Sequence, residues 1–128
     1  MAYAVREGDP TSTGGVVVSA SATHQVQERR LARMGDPVWC PACEQTGYIA
    51  QGNPTFIDEY VAVATQGHEV KCGCKRGTHT LIATQQSLAA DMDATIEIPK
   101  DMAKTAKLRA EKMTAVRNAD ALRGMTRE

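Results

Sequence analysis

Short apolar runs, separated by closely spaced glycine and proline residues, extend over residues 5–83. The runs are rich in β-branched side chains, which predicts short strands joined by tight turns. Strands this short with turns this frequent favour a small prism or barrel over an open sandwich. The predicted strands are residues 16–18, 25–33, 48–50, 55–57, 60–64 and 80–82, with a turn at 52–54.

The same region contains an internal repeat with an offset of 32 residues. The frame aliphatic-Ala-x-x-Gly-x-x-Val-x-Cys occurs at residues 31–40 and again at 63–72. A weaker N-terminal copy, aligned on Gly-Asp-Pro, places Thr13 where the other copies place Cys40 and Cys72. Three related loops predict approximate three-fold symmetry within one chain, with these three residues close to the axis.

The pattern changes after residue 86. Residues 87–98 are typical of a polar, Ala-rich connector, and good helix formers follow Pro99, which suits the first position of a helix. We therefore expect a metal-binding β domain at 1–86, the connector, and a helical extension at 99–128. The helix has a thin apolar stripe, which leaves open whether it packs on the β domain, packs on a partner or frays. The stripe consists of Met102, Ala106, Ala110, Met113 and Val116.

Composition narrows the function classes. The formal net charge is zero, which argues against nucleic-acid binding through a basic surface. No apolar run approaches the roughly 20 residues of a membrane span, so stable membrane insertion is not expected. The chain starts without the basic and apolar segments of a cleavable signal peptide. One Phe, one Trp and three Tyr leave the core poor in large side chains, which favours a metal or covalent staple.

The four cysteines form two tight pairs with the spacing of a zinc site. Cys40 and Cys43 flank Pro-Ala, and Cys72 and Cys74 flank a single glycine. The alternatives are inert buried thiols or a pair of disulfides in a secreted domain, and the missing signal peptide disfavours the disulfides. We therefore predict that these four residues bind one structural Zn²⁺, with His79 as the alternative fourth ligand in place of Cys74.

The sequence offers little catalytic chemistry. It has no Ser/His/Asp series, phosphate-binding loop or paired-carboxylate motif. Glu44, beside Cys43, is the only obvious general base, and a lone carboxylate at such a turn is usually exposed. His68 takes the place of Asp36 in the repeat and is expected on the surface of a turn. We expect a protein that is not an enzyme.

Three segments, taken in order, resemble the PAAR-repeat family. They are Gly-Asp-Pro-Thr-x-Thr-Gly-Gly at 8–15, Leu-Ala-Arg-x-Gly-Asp-x-Val-x-Cys-Pro at 31–41 and Gly-x-x-Val-x-Cys-Gly-Cys at 67–74. The resemblance implies a small cone of β-hairpin repeats with pseudo-three-fold symmetry, closed at its point by a metal, usually zinc. Many members place a histidine ligand at the position of Thr13. Cys43 and Cys74 then stand in for imidazole ligands in a Cys-rich variant of that site.

The resemblance also implies a function. Such proteins cap the trimeric VgrG spike of a type VI secretion system through the base of the cone, sharpen it for membrane piercing and help to deliver effectors. The protein is then expected in the bacterial cytoplasm before firing and in the periplasm or target cell afterwards. Residues 99–128 are predicted to bind an effector, an adaptor or a chaperone. The candidates for the core or the base are Val16, Val18, Ile49, Phe56, Ile57 and Leu81.

The alternative function is a zinc-ribbon-like module that binds nucleic acid or protein. Such a module needs basic and aromatic residues around the metal knuckles. Lys71, Lys75 and Arg76 are basic, but no set of aromatic residues accompanies them.

Overall fold

The computed structural model describes residues 2–126 of the chain, and the side chains of its long helix as far as residue 119. Within that range, nine short strands precede one helix, which confirms the predicted β fold with a helical extension. The elements are β1 (Val16–Val17), β2 (Gln25–Val26), β3 (Arg29–Arg30), β4 (Pro37–Cys40), β5 (Gln45–Ile49), β6 (Gln51–Asp58), β7 (Val61–Val63), β8 (Val70–Lys71), β9 (Ile96–Glu97) and α1 (Lys100–Thr126).

One turn occurs three times in equivalent form. Each copy has a glycine with φ near +90°, a backbone conformation that residues with a Cβ rarely adopt. These glycines are Gly8, Gly35 and Gly67, with φ of +84°, +90° and +89°. The side chain of the next residue accepts a hydrogen bond from the backbone N–H three positions earlier. Those acceptors are Asp9, Asp36 and His68. The repeat found in the sequence is therefore a structural repeat.

A closed ring of backbone hydrogen bonds joins the three copies. The N–H of Val5 donates to the carbonyl of Ala64 at 2.9 Å, Ala64 donates to Ala32 at 2.8 Å, and Ala32 donates back to Val5 at 2.8 Å. All three residues are completely buried. The residues that pack beside the ring include one large aliphatic side chain from each copy. They are Val17, Ile49 and Leu81.

The strands form three small antiparallel sheets. The largest has the order β1-β4-β5-β8, so it takes strands from all three copies; the other two are β7-β6-β9 and the β2-β3 hairpin. The strand predicted at 25–33 is wrong in one respect, because the chain reverses at Gln27 and Glu28, which have φ of 51° and 68°. Two successive residues with positive φ form the tight turn of a two-residue hairpin.

The turn predicted at 52–54 is also wrong, because these residues lie inside β6. Gly52 serves close packing instead: a Cβ there would lie 2.6 Å from Met34 Cγ and 2.7 Å from Ala62 Cβ. The pairing with β7 is irregular between Asn53 and Ile57, so the break in the pattern marks a bulge. The Asn53 side chain donates to the carbonyl of Met92 at 2.7 Å and ties the bulge to the connector.

Helix α1 packs on the outer face of the large sheet. Ala106 and Ala110 are buried, and Ala106 packs with Tyr48 and Ala50 at the end of β5. The backbone N–H of Thr46 also donates to the helix, to the hydroxyl of Thr114 at 2.8 Å. The helix is therefore part of the folded body. Among the described residues, no helix combines the length and apolarity needed to cross a bilayer.

The six apolar candidates for core or base divide into two groups. Ile49 and Leu81 are fully buried, and Phe56 packs partly buried against a small cluster that contains Leu31 and Val63. The remaining three have exposed side chains. They are Val16, Val18 and Ile57.

His68 corrects another expectation, because it is only 3% exposed rather than on the surface of a turn. Its Nδ1 accepts the N–H of Thr65 at 2.9 Å, so the proton is on Nε2, which donates to Thr95 Oγ1 at 3.1 Å. Burial lowers the pKa of His68, although the nearby carboxylates of Asp93 and Glu97 oppose this. The side chain joins the third repeat to the connector in its neutral form.

We predict that His68 makes the fold sensitive to acid. Because the pKa of His68 is lowered in the folded state, the unfolded state binds a proton more readily than the folded state does. The free energy of unfolding therefore falls as the pH drops below about 6.5. His68 contributes at most about 1.4 kcal/mol per pH unit to this slope. The control is His68→Asn, whose side chain can accept the Thr65 N–H without titrating. Urea unfolding of the zinc-loaded proteins between pH 7.5 and 5.5 measures both; identical slopes would contradict the prediction.

Candidate metal centre

Four potential ligands meet where the large sheet ends. The sulfur atoms of Cys40, Cys72 and Cys74 and a ring nitrogen of His79 all lie within 4.8 Å of one another. Cys40 is the last residue of β4, and Cys72 directly follows β8, so the sheet itself brings the first two thiols together. Cys74 and His79 come from the segment after β8.

The distances suit a tetrahedral zinc site. Zn–S bonds of about 2.3 Å and Zn–N bonds of about 2.0 Å place neighbouring ligand atoms roughly 3.5–3.8 Å apart. Cys40 Sγ lies 3.9 Å from Cys74 Sγ and 3.3 Å from His79 Nε2. All four cysteines are free thiols, so none is used in a disulfide. Three thiols and one imidazole form a ligand set that proteins use for structural zinc.

The repeat explains why His79 reaches this cluster. Gly15, Gly47 and His79 occupy equivalent positions, 32 residues apart. A Cβ at Gly15 would lie 2.4 Å from the carbonyl oxygen of Trp39, and one at Gly47 would lie 2.2 Å from that of Lys71. The first two copies therefore need glycine at this position, because the next copy approaches so closely. In the third copy a histidine side chain takes this position and points to the first copy.

Thr13 contacts the side chain of His79. Its hydroxyl makes a hydrogen bond with Nδ1 of His79, while Nε2 faces the sulfur of Cys40. Thr13 occupies the repeat position of Cys40 and Cys72, so the first copy offers a hydroxyl where the others offer a thiol. With Nε2 on a metal ion, Nδ1 carries the proton and donates it to the hydroxyl. Such a partner orients a ligating histidine and raises its basicity.

Cys43 lies beside the cluster but does not belong to the group of four. Its sulfur is 3.4 Å from the position of a Cβ on Gly73, the residue between Cys72 and Cys74. The assignment of Cys43 as a ligand therefore stays a prediction. Sequence reasoning named His79 only as an alternative to Cys74, whereas both belong to the cluster.

Two thiols of the cluster, those of Cys72 and Cys74, have a raised pKa and favour the protonated form until a cation binds. Burial, followed by hydrogen bonds with the thiols of Cys40 and Cys43, raises the pKa of Cys72 well above its usual value. Neighbouring thiolates repel one another, and a divalent cation removes that repulsion by binding them. Zinc binding at this site must therefore release protons, so the affinity increases with pH.

The cluster lacks the features of a catalytic metal site. No carboxylate of the described residues belongs to it, and Glu44, the only candidate base, is exposed at a turn where its φ is 52°. Four such ligands would fill the tetrahedral positions of a zinc ion, as they do in structural sites. The arrangement suits a metal that ties chain segments together.

Comparison with known proteins identifies the repeat region. A protein-family model described as the PAAR motif matches residues 7–76, more than half of the chain. The match contains all four cysteines and ends before His79. No curated protein and no solved structure matches the chain.

We predict that Thr13 sets the zinc affinity without being a ligand. Thr13→Val removes the hydroxyl that holds Nδ1 of His79 and should weaken zinc binding about tenfold. Thr13→Ser keeps the hydroxyl and should bind zinc like the wild type. Competition with a chromophoric chelator measures both affinities. Equal affinities for the Val and Ser variants would show that the contact with His79 does not matter.

We predict that His79, rather than Cys43, supplies the fourth ligand atom, because only His79 belongs to the cluster. His79→Ala should lower both the zinc content and the melting temperature, whereas Cys43→Ser should retain one zinc per chain. Cys40→Ser and Cys72→Ser should lose the ion and serve as positive controls. Elemental analysis with thermal unfolding measures these outcomes. Loss of zinc from Cys43→Ser alone would assign the position to Cys43 instead.

Proposed function

The chain belongs to the PAAR-motif family, and from that premise we propose that it is a metal-stabilised tip that caps the VgrG trimer of a type VI secretion system. Proteins with this motif are structural components of the spike, which supports a role without catalysis. The tip would wait in the bacterial cytoplasm and reach the periplasm or a target cell on firing. Residues 1–86 would form the tip, 87–98 the connector and 99–128 a site for an effector, an adaptor or a chaperone.

The observation that carries this proposal is the ring of hydrogen bonds between Val5, Ala32 and Ala64. It makes one chain approximately three-fold symmetric about an internal axis. A single copy can then present three similar surfaces to a partner with true three-fold symmetry. A module that binds one peptide or one nucleic-acid strand gains nothing from such symmetry.

The direction of the chain supports a candidate for the surface that would face the spike. From the hairpin at Cys40, the chain runs away from the metal cluster through β5 and β6, which only Ala50 separates. An extended segment of this length reaches up to roughly 40 Å. It ends at a turn formed by Glu59 and Tyr60, and this turn is our candidate for the base that meets the trimer.

Two equivalent turns lie at this end, 32 residues apart. Gln27 and Glu28 form one, Glu59 and Tyr60 the other, and all four have positive φ between 50° and 70°. Tight hairpin turns of this kind strongly prefer Asn and Gly, so large side chains here carry backbone strain. Strained residues persist at sites where their side chains have a function. Tyr60, with 98% of its surface exposed, is suited to be a contact for the partner.

The metal centre fits the mechanical task at the other end. A point that is driven through a membrane must keep its shape under load. One zinc ion would tie β4, β8 and the segment up to His79 together, so opening the point would require breaking metal–ligand bonds. The ion would therefore supply rigidity where the strands are too short to supply it by packing.

The zinc-ribbon alternative receives less support from the charges around the site. Arg76 is held by two carboxylates, with Nε 3.0 Å from Glu69 Oε1 and an Nη atom 2.5 Å from Glu97 Oε1. A guanidinium neutralised in this way has little left to offer a phosphate. Complexes whose affinity falls steeply with salt would favour the alternative.

We predict that one chain binds one VgrG trimer from the same bacterium, and that Tyr60→Gly weakens this complex about fivefold or more. Truncation of an exposed aromatic anchor at an interface commonly has this effect. Glycine adopts a positive φ without the steric penalty of a Cβ. The same substitution should therefore stabilise the isolated protein by up to about 1 kcal/mol. Light scattering gives the stoichiometry, and thermal unfolding and interferometry give the other two quantities.

The matched control is Glu28→Gly, which relieves the same strain in the equivalent turn but leaves Tyr60 in place. Both variants should raise the melting temperature, and only Tyr60→Gly should lose affinity. A trimer that binds neither the wild type nor the variants would refute the proposed function. Equal affinity of all three proteins would refute the assignment of Tyr60.

A further inference from the structure

We propose that a groove between β4 and helix α1 binds a segment of a partner protein that carries an aliphatic anchor flanked by carboxylates. We call it the Trp39 groove; the lining residues that matter here are the apolar Val18, Trp39, Met113 and Val116 and the basic Arg109, Lys112 and Arg117. The inference extends the proposed role of residues 99–128 by stating the chemistry of their partner. It concerns a surface separate from the metal cluster and from the turn at Tyr60.

The groove has an apolar floor that the fold leaves open. Its volume is about 600 Å³, and its lining includes Trp39 and Met113. Val18 and Val116 remain 41% and 60% exposed along its sides. Neighbouring exposed apolar side chains in a concave site are typical of an interaction surface rather than of ordinary solvent-exposed surface.

Three cations surround this floor, and the fold positions two of them. Arg117 stacks its guanidinium 3.9 Å from the ring centre of Trp39, and Arg109 donates to the carbonyl of Gly35 at 2.7 Å. Lys112 lies between them on the same side of the helix. Among the described residues, no carboxylate forms an ion pair with any of the three. Pre-positioned guanidinium groups lose little entropy when they bind carboxylates.

The distribution of charge indicates an acidic partner. Residues 1–99 have seven Lys and Arg against eleven Asp and Glu, whereas residues 100–128 have eight against four. The formal net charge is therefore positive in the C-terminal segment, whose helix forms one wall of the groove, and negative in the rest of the chain. The carboxylate beyond Trp39, that of Glu7, already accepts the N–H of Ala20 at 3.2 Å. An acidic segment would meet complementary charge around an apolar contact.

This combination separates the proposed partner from other acidic ligands. A nucleic acid needs an extended array of cations, and it offers no aliphatic side chain to fill a groove lined by Val18, Met113 and Val116. A helix or strand with one apolar edge and acidic flanks supplies both components. A second copy of this chain has an acidic body and is the competing occupant, which the oligomeric state will report.

Trp39 gives a direct readout, because it is the only tryptophan of the chain and lies in the groove. The probe is a 14-residue helical peptide without Trp, with leucines at positions i, i+3, i+4 and i+7 and glutamates on both flanks. A second peptide replaces every glutamate with lysine. Titration of the zinc-loaded full chain should give a saturable change in Trp39 emission with the first peptide and none with the second.

Two charge reversals on the same helix localise the binding. Lys112→Glu, in the rim of the groove, should weaken the acidic peptide about tenfold, since it removes one attraction and adds one repulsion. Lys104→Glu makes the same change in charge at an exposed position outside the groove and should leave the affinity within about twofold. Unchanged zinc content and melting temperature confirm that both variants are folded.

Four outcomes would overturn the inference: no binding of the acidic peptide, equal binding of both peptides, equal losses in the two variants, or self-association of the chain that buries Trp39. Binding to the VgrG trimer is measured separately and should be the same for wild type and Lys112→Glu. Failure of the spike complex would therefore refute the proposed function without deciding the groove, and loss of peptide binding would do the reverse.

Discussion

Three backbone hydrogen bonds that close on themselves hold this fold together. Val5, Ala32 and Ala64 each donate to one neighbour and accept from the other, so each copy of the repeat is held by the other two. Because the ring is completely buried, an open bond would leave polar groups without water or a partner. The small side chains allow the three backbones to come this close. A chain with strands of only two to eight residues thereby gains a cooperative centre that no single hairpin provides.

The three copies of the repeat differ at one position near the metal cluster, where two copies have glycine and the third has His79. In two copies, the strand that leads back from the tip carries Gly15 or Gly47, and the backbone of the next copy fills the space a side chain would need. In the third copy, His79 reaches toward the first copy, where Thr13 stands in place of a thiol. Histidine in place of glycine at position 79 supplies an imidazole, and threonine in place of cysteine at position 13 supplies the hydroxyl that orients it. The mixed ligand set is thus a product of the repeat and of its one irregular interface.

The sequence allowed most of the architecture to be predicted, because the repeat is written in residues with strict backbone requirements. Glycines with positive φ and cysteines at equivalent positions identified the three copies and the tip. His79 was predicted only as an alternative ligand. The repeat itself singles it out, because His79 stands where the other two copies have Gly15 and Gly47. The hairpin turn at Gln27 and Glu28 was missed, since neither residue favours positive φ. His68 was expected on the surface of a turn because it takes the place of Asp36 in the repeat; its burial depends on a connector whose position no local pattern encodes.

Helix α1 covers only one side of the three-fold repeat and so makes that side different from the other two. It packs on a single sheet through Ala106 and Ala110, and the other two faces of the repeat have no equivalent helix among the described residues. A surface with three-fold symmetry would suit a partner with three equal subunits, whereas a unique face would suit one partner per chain. The two surfaces have different physical origins: the symmetry follows from the ring of hydrogen bonds, and the unique face follows from the basic helix. Substitutions along the Trp39 groove would therefore alter this unique face without disturbing the ring or the metal cluster.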